Sequence, residues 1–297
     1  MEYHNPVMGP ECIEGLNIQP NGIYVDATFG GGGHSRLILK ELKDGQLHGF
    51  DQDEDAIPNI PDDERFIFNH HNFRYMKQFL KLHGVRKVDG ILGDLGVSSH
   101  QLDEATRGFS FRYDADLDMR MNQQEERKAS DILNTYNIGE LQNVFSKYGE
   151  VRNSKTLAQS IVEERKVRKI KTIADFLNIL GPLVRGNRGR YLAQVFQALR
   201  IELNDEMGAL ETFLETSLEI LKPGGRLVIE TYHSLEDRLV KNFLKTGNVR
   251  GEVIKDDFGK IDRPFKLINK KPILPSAEEI KINPRSRSAK LRIAELK

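Results

Sequence analysis

The chain has 297 residues, enough to bury a full hydrophobic core and to form one large or two modest domains. Lysine plus arginine and aspartate plus glutamate balance at 44 each, so the molecule as a whole is not polyanion-seeking, and the single cysteine, Cys12, excludes an intrachain disulfide and a cysteine-based zinc site. There is no signal sequence and no apolar run of about 18 residues, which predicts a cytoplasmic protein without a membrane segment.

About the first hundred residues alternate short apolar strands with helical segments. The predicted strands are Ile23–Ala27, Gln46–Phe50, Arg65–Asn69 and Val88–Leu92, with helices such as Ser35–Leu42 and Phe73–His83 between them. Strands that alternate with helices predict an α/β fold with a doubly wound parallel sheet.

Helical patterns replace the strand pattern over the next hundred residues. The predicted helices are Gln123–Asn134, Ile138–Tyr148, Ser154–Lys166, Thr172–Val184 and Tyr191–Leu221, two of which begin with the capping pairs Asn137/Glu140 and Thr172/Asp175. The segment "LKPGGRLVIETYHS" then returns to a strand. We therefore expect one domain formed by residues 1–104 and 206–297, interrupted by a helical insertion at residues 105–205.

Charge is distributed unevenly along the chain. Residues 151–200 carry a net charge of +8, although the total is zero. This block is either a face that binds a polyanion or an ordinary solvated helical surface.

Four consecutive glycines, Gly30–Gly33, follow the first predicted strand in "VDATFGGGGHSRLIL". Glycine lets a ligand touch the main chain, and in a doubly wound sheet the loop after the first strand lies closest to the cofactor. The dinucleotide fingerprint fits poorly, because Ser35 stands at its third glycine position. The spacing of Asp26, Thr28, Gly30 and Gly32 resembles motif I of class I S-adenosylmethionine methyltransferases. Asp51, or less favourably Asp53, ends the second strand, where a carboxylate binds ribose hydroxyls.

Eight phrases, which occur in a fixed order, extend this resemblance over nearly the whole chain. They are "HNPVM", "DATFGGGGHS", "DLGVSSHQLD", "RGFSFR", "LDMRMN", "QALRIELNDE", "HSLEDR" and "NPRSRSAKLR", between His4 and Arg292. Together they closely resemble the bacterial MraW/RsmH family, methyltransferases that modify N4 of a decoding-centre cytidine in 16S ribosomal RNA. The resemblance implies S-adenosylmethionine as cofactor and the small ribosomal subunit as partner, with no metal and no membrane; a homodimer is left open.

The resemblance also implies a set of cofactor contacts. They are Gly32, Gly33, His34, Asp51, Phe73, Asp94 and Gln101. His34, at a predicted helix start, is equally well explained as a structural hydrogen-bonding residue.

Candidate catalytic residues follow from the chemistry of an exocyclic amine. Asp94, at the end of the fourth strand, is the leading polar group for the reacting nitrogen, and contact with the methionine end of the cofactor is an alternative role. Asp118, His233 and Ser234 are second candidates for holding the base, and His233 is equally well explained as a core or turn histidine. Cys12 is poorly placed for attack on a cytosine ring carbon.

Basic and aromatic residues form the expected RNA surface, because unstacked bases stack on aromatic rings while lysine and arginine meet phosphate. The candidates are Arg107, Phe109, Phe111, Arg112, Arg185, Arg188, Arg190, Arg285 and Arg287. Phe109 and Phe111, two residues apart, could instead form the inner face of a strand. We expect the helical insertion to recognise the ribosomal RNA.

The chain departs from the family pattern at three positions: Glu230 replaces an apolar strand residue, Tyr232 a phenylalanine, and His100 a frequent proline. A glutamate in a buried strand needs a partner. Two other functions stay open at this point. One is a methyltransferase for DNA, protein or a small molecule, and the other is a non-catalytic RNA-binding assembly factor on the same scaffold.

Overall fold

A computed structural model describes residues 6–255, 259, 261 and 263–297 of the chain. His4 and Asn5 of the "HNPVM" phrase lie outside the described residues. The chain forms two compact units, Met1–Gly96 with Gly208–Lys297 and, between them in sequence, Val97–Met207.

The first unit contains a seven-stranded mixed sheet. Its strands are β1 (Ile23–Asp26), β2 (Gln46–Phe50), β3 (Phe66–Asn69), β4 (Val88–Asp94), β5 (Leu221–Thr231), β6 (Phe265–Leu267) and β7 (Lys290–Leu296). The strand order is β3-β2-β1-β4-β5-β7-β6. The five strands from β3 to β5 are parallel, whereas β7 runs antiparallel to both β5 and β6.

The helices of the described residues follow in chain order. They are α1 (Gly9–Leu16), α2 (Gly33–Glu41), α3 (Met76–Leu82), α4 (Ser99–Asp103), α5 (Ala129–Thr135), α6 (Ile138–Gly149), α7 (Ser154–Val167), α8 (Ile173–Leu180), α9 (Arg188–Asn204), α10 (Glu206–Ile220), α11 (Ser234–Thr246) and α12 (Ala277–Ile282). None of the helices in the described part of the chain has the length and apolar character needed to cross a membrane.

The doubly wound sheet is confirmed, and each of the first four predicted strands is present with small shifts at its ends. The predicted parallel sheet spans β3 to β5, and two antiparallel strands extend it. The C-terminal strand β7 pairs antiparallel along β5 from Arg226 to Thr231 and so covers an edge that would otherwise expose unpaired main-chain groups.

The strand register brings acidic residues to one edge of the sheet. The chain order reverses between β1 and β4, which is the point where doubly wound sheets bind ligands. Asp26 ends β1, and Asp94 ends β4 directly opposite Glu230 on β5. Asp51 follows the last residue of β2. Carboxylates from four adjacent strands therefore lie at the carboxyl edge.

Each unit has its own hydrophobic core. In the first, α1 and α2 cover the sheet with buried side chains that include Met8, Leu16 and Ile38. In the second, residues from α5 to α9, among them Phe145 and Phe176, are fully buried together. The helical unit begins at Val97, before the expected boundary at residue 104, because Val97 and Leu102 pack against its core.

Two predicted helices differ from the observed ones. The segment expected to be helical from Gln123 becomes so only at Ala129, because the Arg120 guanidinium donates to the carbonyl oxygens of Gln123 and Glu125 and holds a turn there. The long helix expected from Tyr191 to Leu221 is divided into α9 and α10 at Asp205, whose φ of 47° lies in the left-handed region.

The two predicted capping pairs are both present. Asn137 and Glu140 exchange hydrogen bonds at the start of α6, and Thr172 and Asp175 do the same at the start of α8. Each pair satisfies main-chain N–H groups that have no partner inside the helix.

Candidate active site

The glycine loop between β1 and α2 exposes main chain where the sheet order reverses. Gly30 and Gly32 have φ values of 51° and 73°, which favour glycine. A Cβ atom at Gly31 would meet no atom within 4 Å, whereas one at Gly32 would lie 2.9 Å from the Phe29 ring. The loop therefore presents an open face at Gly31, and Gly32 and Gly33 are the turn by which the chain enters α2.

Asp26 and Asp51 hold the main chain of this loop by hydrogen bonds. Asp26 is fully buried; its Oδ1 accepts from the main-chain N–H of Thr28 and its Oδ2 from the Ser35 hydroxyl at 2.6 Å. Asp51 Oδ2 accepts from the main-chain N–H of Gly30 at 2.7 Å, and its Oδ1 accepts from that of Asp53. Two carboxylates thus accept hydrogen bonds from the main chain of the loop.

Asp51, rather than Asp53, is the carboxylate on the glycine loop. Burial raises the pKa of Asp51 to about 6, although two main-chain N–H groups favour the ionised form. Asp53 instead accepts from the main-chain N–H of Asp55 and caps the short helix at Glu54–Asn59. Asp51 therefore lies against the glycine loop, whereas its contact with ribose hydroxyls stays a prediction.

Phe73 begins a single 3₁₀ turn that precedes α3. Its half-buried ring packs edge to face against Phe213 of α10, with ring centroids 5.2 Å apart. Contacts of this kind fix the orientation of a ring while leaving part of it accessible.

Asp94 is the most connected polar group at the carboxyl end of β4. Its main-chain N–H donates to the Thr28 hydroxyl, and its Oδ1 accepts from the Tyr232 hydroxyl at 2.7 Å. Its Oδ2 lies 3.8 Å from His34 Nδ1, and a quarter of the side chain is exposed. Burial raises the pKa of Asp94, against the opposing effect of His34. Nothing in the sequence indicated that Tyr232 orients this carboxylate or that Thr28 holds its main chain.

His34 lies inside the protein between two carboxylates. The ring is 5% exposed, and Nε2 is 3.0 Å from the carbonyl oxygen of Val7. A carbonyl only accepts hydrogen bonds, so Nε2 carries the hydrogen and Nδ1, when the ring is neutral, presents a lone pair toward Asp94. Glu230 Oε2 lies 3.5 Å from the same Nε2. This geometry corresponds to the structural role considered for His34.

Glu230 is fully buried, and neither carboxylate oxygen has a hydrogen-bond partner of acceptable geometry among the described atoms. Cys12 of α1, His34 and Glu230 place their polar atoms within 4.8 Å of one another. Because His34 Nε2 is bonded through its hydrogen to Val7, it has no lone pair to offer a metal ion at this point. The sequence marked Glu230 as anomalous, but Cys12 was not recognised as its neighbour.

His233 and Ser234 form the start of α11. His233 Nδ1 accepts from the main-chain N–H of Glu236 at 3.4 Å, and Glu236 in turn accepts from the N–H groups of Tyr232 and His233. This is a capping box in which histidine takes the place of serine. His233 therefore fits the turn alternative, and Ser234 is exposed beside it.

Asp118 and Gln101 lie in the helical unit and are both occupied. Asp118 makes two hydrogen bonds to the Arg120 guanidinium, at 2.7 and 2.8 Å. Burial would raise the pKa of Asp118, but the Arg120 contacts outweigh it and hold that pKa below its usual value. Gln101 is buried and exchanges hydrogen bonds with Ser98 at the start of α4. Asp118 is thus engaged in an ion pair with Arg120, and its carboxylate is not available to hold a nucleobase.

Two of the residues expected to face RNA are internal, which corrects that prediction. Arg107 and Phe109 are only 7% and 6% exposed, because the guanidinium donates to the Arg120 carbonyl and lies over the Phe109 ring. Phe111 is half-buried against Phe196. The segment 107–111 is not a strand either, so the alternation reflects packing of an irregular segment.

The other expected RNA-facing residues are largely exposed. Arg185, Arg188 and Arg190 surround the start of α9, and all three are exposed. Arg112 and Arg287 are also exposed, whereas Arg285 is half-buried. The positive charge of residues 151–200 is therefore displayed on the surface of the helical unit.

The chain matches the model of the MraW methylase family over residues 1–297. A protein named ribosomal RNA small subunit methyltransferase H from Parabacteroides distasonis is 57% identical over 296 residues, covering 99% of this chain and 97% of that protein. Proteins of the same name from Bacteroides thetaiotaomicron and Flavobacterium johnsoniae are 56% and 55% identical over 299 and 297 residues, and each is covered to 98%, with 100% and 99% of this chain aligned. The seven-stranded sheet with its reversal between β1 and β4 is a Rossmann-like fold. The chain belongs to the MraW methylase family.

Proposed function

We propose that this protein transfers a methyl group from S-adenosylmethionine to N4 of a cytidine in 16S ribosomal RNA, and does so in the cytoplasm. The observation that supports the proposal most is the convergence of an open glycine loop, Asp51 and Asp94 at the carboxyl ends of adjacent strands. It is found in a chain whose relatives are named for methylation of small-subunit ribosomal RNA.

The residues around the loop fit an adenosyl methyl donor. Gly31 leaves room for a ligand against the main chain, and Asp51 is a carboxylate that can accept from ribose hydroxyls. The accessible part of the Phe73 ring suits a purine face. When bound, the donor supplies a methyl group that is already activated by its bond to a sulfonium. The protein has chiefly to orient the reactants.

Asp94 is the residue that we assign to the reacting nitrogen. Hydrogen bonds with Tyr232 and Thr28 hold Asp94 in position. The other carboxylate oxygen, Oδ2, lies 3.8 Å from His34 Nδ1. As N4 forms its bond to the methyl carbon, the carbon–sulfur bond breaks, sulfur keeps the electron pair, and N4 must lose a proton. Oδ2 can accept a hydrogen bond from N4 and then that proton.

The helical unit is the part that we assign to RNA recognition. Arg185, Arg188 and Arg190 offer phosphate contacts on an exposed surface, and the exposed Arg112 of the same unit adds to them. Arg287 is also exposed but belongs to the first unit. A target base in folded RNA has to leave its stack to be methylated. Arg107 and Phe109 take no part in this assignment because they are buried. A homodimer stays a prediction that no contact of the described residues addresses.

The decisive experiment uses small ribosomal subunits from a strain that lacks the gene. Subunits are incubated with the protein and S-adenosylmethionine labelled in its methyl group, and modified nucleosides are identified by mass spectrometry. We expect label in N4-methylcytidine from 16S RNA. Label on a ring carbon, a ribose oxygen, a purine or DNA would contradict the assignment, and RNA binding without transfer would favour an assembly factor.

The role of Asp94 is tested by Asp94→Asn, with Glu219→Gln as matched control because Glu219 is a half-exposed carboxylate on α10. Loss of a proton acceptor at the reacting nitrogen is expected to lower kcat about a hundredfold or more. The control should retain wild-type kcat. An Asp94→Asn variant with full kcat would remove Asp94 from the reaction.

A further inference from the structure

The polar cluster at the carboxyl ends of β4 and β5 contains two carboxyl groups, Asp94 and Glu230, of which the proposed methyl transfer uses only Asp94. It consists of Cys12, His34, Asp94, Glu230 and Tyr232, whose side chains are mutually close. Asp94 and Glu230 are paired across the two strands. Glu230 is the unexplained member, because burying a carboxylate without a partner is costly.

Among the residues that the structure describes, the basic group that contacts the two carboxylates is the His34 ring. No arginine or lysine of the described residues makes an ion pair with Asp94 or Glu230. The charged and titratable groups that face the cluster from the surrounding elements are Glu11 and Cys12 of α1, Asp26 of β1, His34 of α2, Tyr232 after β5, Glu236 of α11 and Glu279 of α12. Apart from the imidazole, these groups are acidic or neutral.

Two like charges in such a place cannot both be held without a cation. Burial raises the pKa of Glu230 well above its usual range, and the charge of Asp94 raises it further. Burial likewise raises the pKa of Asp94. Acidic groups that interact in this way bind protons jointly rather than independently.

We propose that Asp94 and Glu230, bridged by His34, hold one proton in the ligand-free site and release it when the sulfonium cation of the methyl donor binds. The inference rests on the proposed function only in placing the donor's sulfonium beside Asp94. Glu230 is a positioning residue here, since it acts through His34 and Asp94 and is itself inaccessible.

The same arrangement gives the proton of the reaction a destination. When N4 forms its bond to carbon, the sulfonium charge disappears and a proton leaves N4. The pair regains its affinity for a proton at that moment, because the cation that opposed protonation has gone. The proton passes to Asp94 Oδ2, and the net charge of the site is the same before and after transfer. His34 Nδ1 faces Oδ2 with its lone pair, and the ring lies between Asp94 and Glu230.

The test compares two ligands that differ in this charge, S-adenosylmethionine and S-adenosylhomocysteine, by isothermal titration calorimetry without RNA. Titrations at pH 6.5 in phosphate and in imidazole buffer, which differ in ionisation enthalpy, give the number of protons released. At this pH the α-amino groups of both ligands are largely protonated. The ribose that we assign to Asp51 is common to both ligands, so any titration of Asp51 cancels in the comparison. We expect S-adenosylmethionine to release about 0.3 to 1 more proton than S-adenosylhomocysteine.

The variants Glu230→Gln and Glu230→Leu are expected to reduce this difference to less than about a third of its wild-type value. Glu219→Gln should leave it unchanged. In the wild type, the affinity for S-adenosylmethionine relative to S-adenosylhomocysteine should rise with pH, by up to about tenfold per pH unit where the pair titrates, and this rise should flatten in both Glu230 variants. Thermal unfolding establishes that the variants fold; removal of an unpartnered buried carboxylate should not lower their stability.

Equal proton release by the two ligands, or a difference that survives both Glu230 substitutions, would overturn the proposal. So would stoichiometric zinc in the purified protein that is lost with Glu230→Gln, because the cluster would then be a metal site. None of these outcomes depends on which nucleotide is methylated, so failure here is distinguishable from failure of the RNA assignment.

Discussion

Single buried groups decide much of the electrostatic behaviour of this protein. Asp26, His48 and Glu230 are all fully buried, yet their surroundings differ. Asp26 is satisfied by Ser35 and Thr28, whereas the two ring nitrogens of His48 and the two oxygens of Glu230 have no hydrogen-bond partner among the described atoms. Buried polar groups are normally hydrogen-bonded, and a buried group without a partner needs an explanation, such as a change of protonation state or a bound ligand.

His48 on β2 makes stability sensitive to mild acid. Burial, with His83 nearby, lowers the pKa of His48 to about 4, whereas in the unfolded chain it is about 6.5. As pH falls below 6.5 the unfolded chain binds a proton that the native protein refuses, so the free energy of unfolding decreases, by up to about 3 kcal/mol near pH 4. We expect His48→Leu to remove most of this loss.

Urea unfolding between pH 7.5 and 4.5 measures the effect. His100→Gln, which replaces an exposed histidine, is the control and should retain the wild-type pH dependence. If His48→Leu lost stability toward acid as steeply as the wild type, the buried imidazole would not be its source.

Asp51 shows the opposite linkage. Its pKa is raised to about 6, so the native protein keeps a proton that the unfolded chain has lost, and ionisation of Asp51 decreases stability as pH rises from about 4 through 6. Above pH 6 the carboxylate is ready to accept from ribose hydroxyls. We therefore expect Asp51→Asn to weaken S-adenosylmethionine binding at least about tenfold at pH 8 without lowering the free energy of unfolding.

Calorimetric titration and urea unfolding of the same preparation check both parts of this expectation. A nearby substitution, Asp62→Asn, serves as control because Asp62 is an exposed carboxylate. Unchanged affinity in Asp51→Asn would show that the carboxylate on the loop is structural only.

Among the elements, the loop between β1 and α2 illustrates how adjacent glycines serve different ends. Gly32 is required by the fold, since its φ is positive and a side chain there would strike Phe29. Gly31 is exposed and surrounded by open space. Conformation explains the first glycine, and for the second we expect that a bound ligand occupies the open space.

The pair Gly31→Ala and Gly32→Ala separates these two needs. Gly32→Ala should lower the free energy of unfolding by about 1–3 kcal/mol. Gly31→Ala should change it by less than about 0.5 kcal/mol but reduce affinity for S-adenosylmethionine severalfold or more, because its methyl group enters the ligand's space. Chemical denaturation and calorimetry distinguish the two. Wild-type affinity in Gly31→Ala would place the ligand elsewhere.

Local signals predicted some elements and missed others for physical reasons. The capping pairs at α6 and α8 and the helical periods of α6 and α7 depend on neighbours within a few residues, and they were predicted correctly. The start of α5 and the break at Asp205 were missed. The first depends on the hydrogen bonds of Arg120, and the second on a left-handed residue that helical periodicity does not reveal.

At the scale of the whole molecule, the zero net charge conceals an uneven distribution of charge along the chain. The net charge is zero, but residues 151–200 of the helical unit carry +8. The exposed arginines near the start of α9 are part of this positive charge. A protein with this charge distribution is expected to bind RNA through one unit only, with strong dependence on salt.

The arginine surface is tested by the triple substitution Arg185→Ala, Arg188→Ala and Arg190→Ala. All three side chains are exposed, so stability should change little. Affinity for 16S RNA should fall, and the slope of log K against log salt should decrease by about two to three, one phosphate contact for each arginine. S-adenosylmethionine affinity should not change.

The matched control replaces three exposed lysines of the first unit, Lys40, Lys43 and Lys81, with alanine. This change removes the same charge and should have a smaller effect on the salt slope. Filter binding at several salt concentrations measures both variants. An equal loss in the control would mean that overall charge, rather than the helical unit, governs RNA binding.

By itself, the sequence determined the class of fold, the family and the position of the glycine loop. These depend on spacing along the chain and on local preference, which a single sequence displays. Only the tertiary structure decided that Arg107 and Phe109 are internal, that Tyr232 and Thr28 orient Asp94, and that Cys12, His34 and Glu230 meet. These contacts join residues that are tens to hundreds of positions apart in sequence. They follow from strand order, register and burial, which no local pattern encodes.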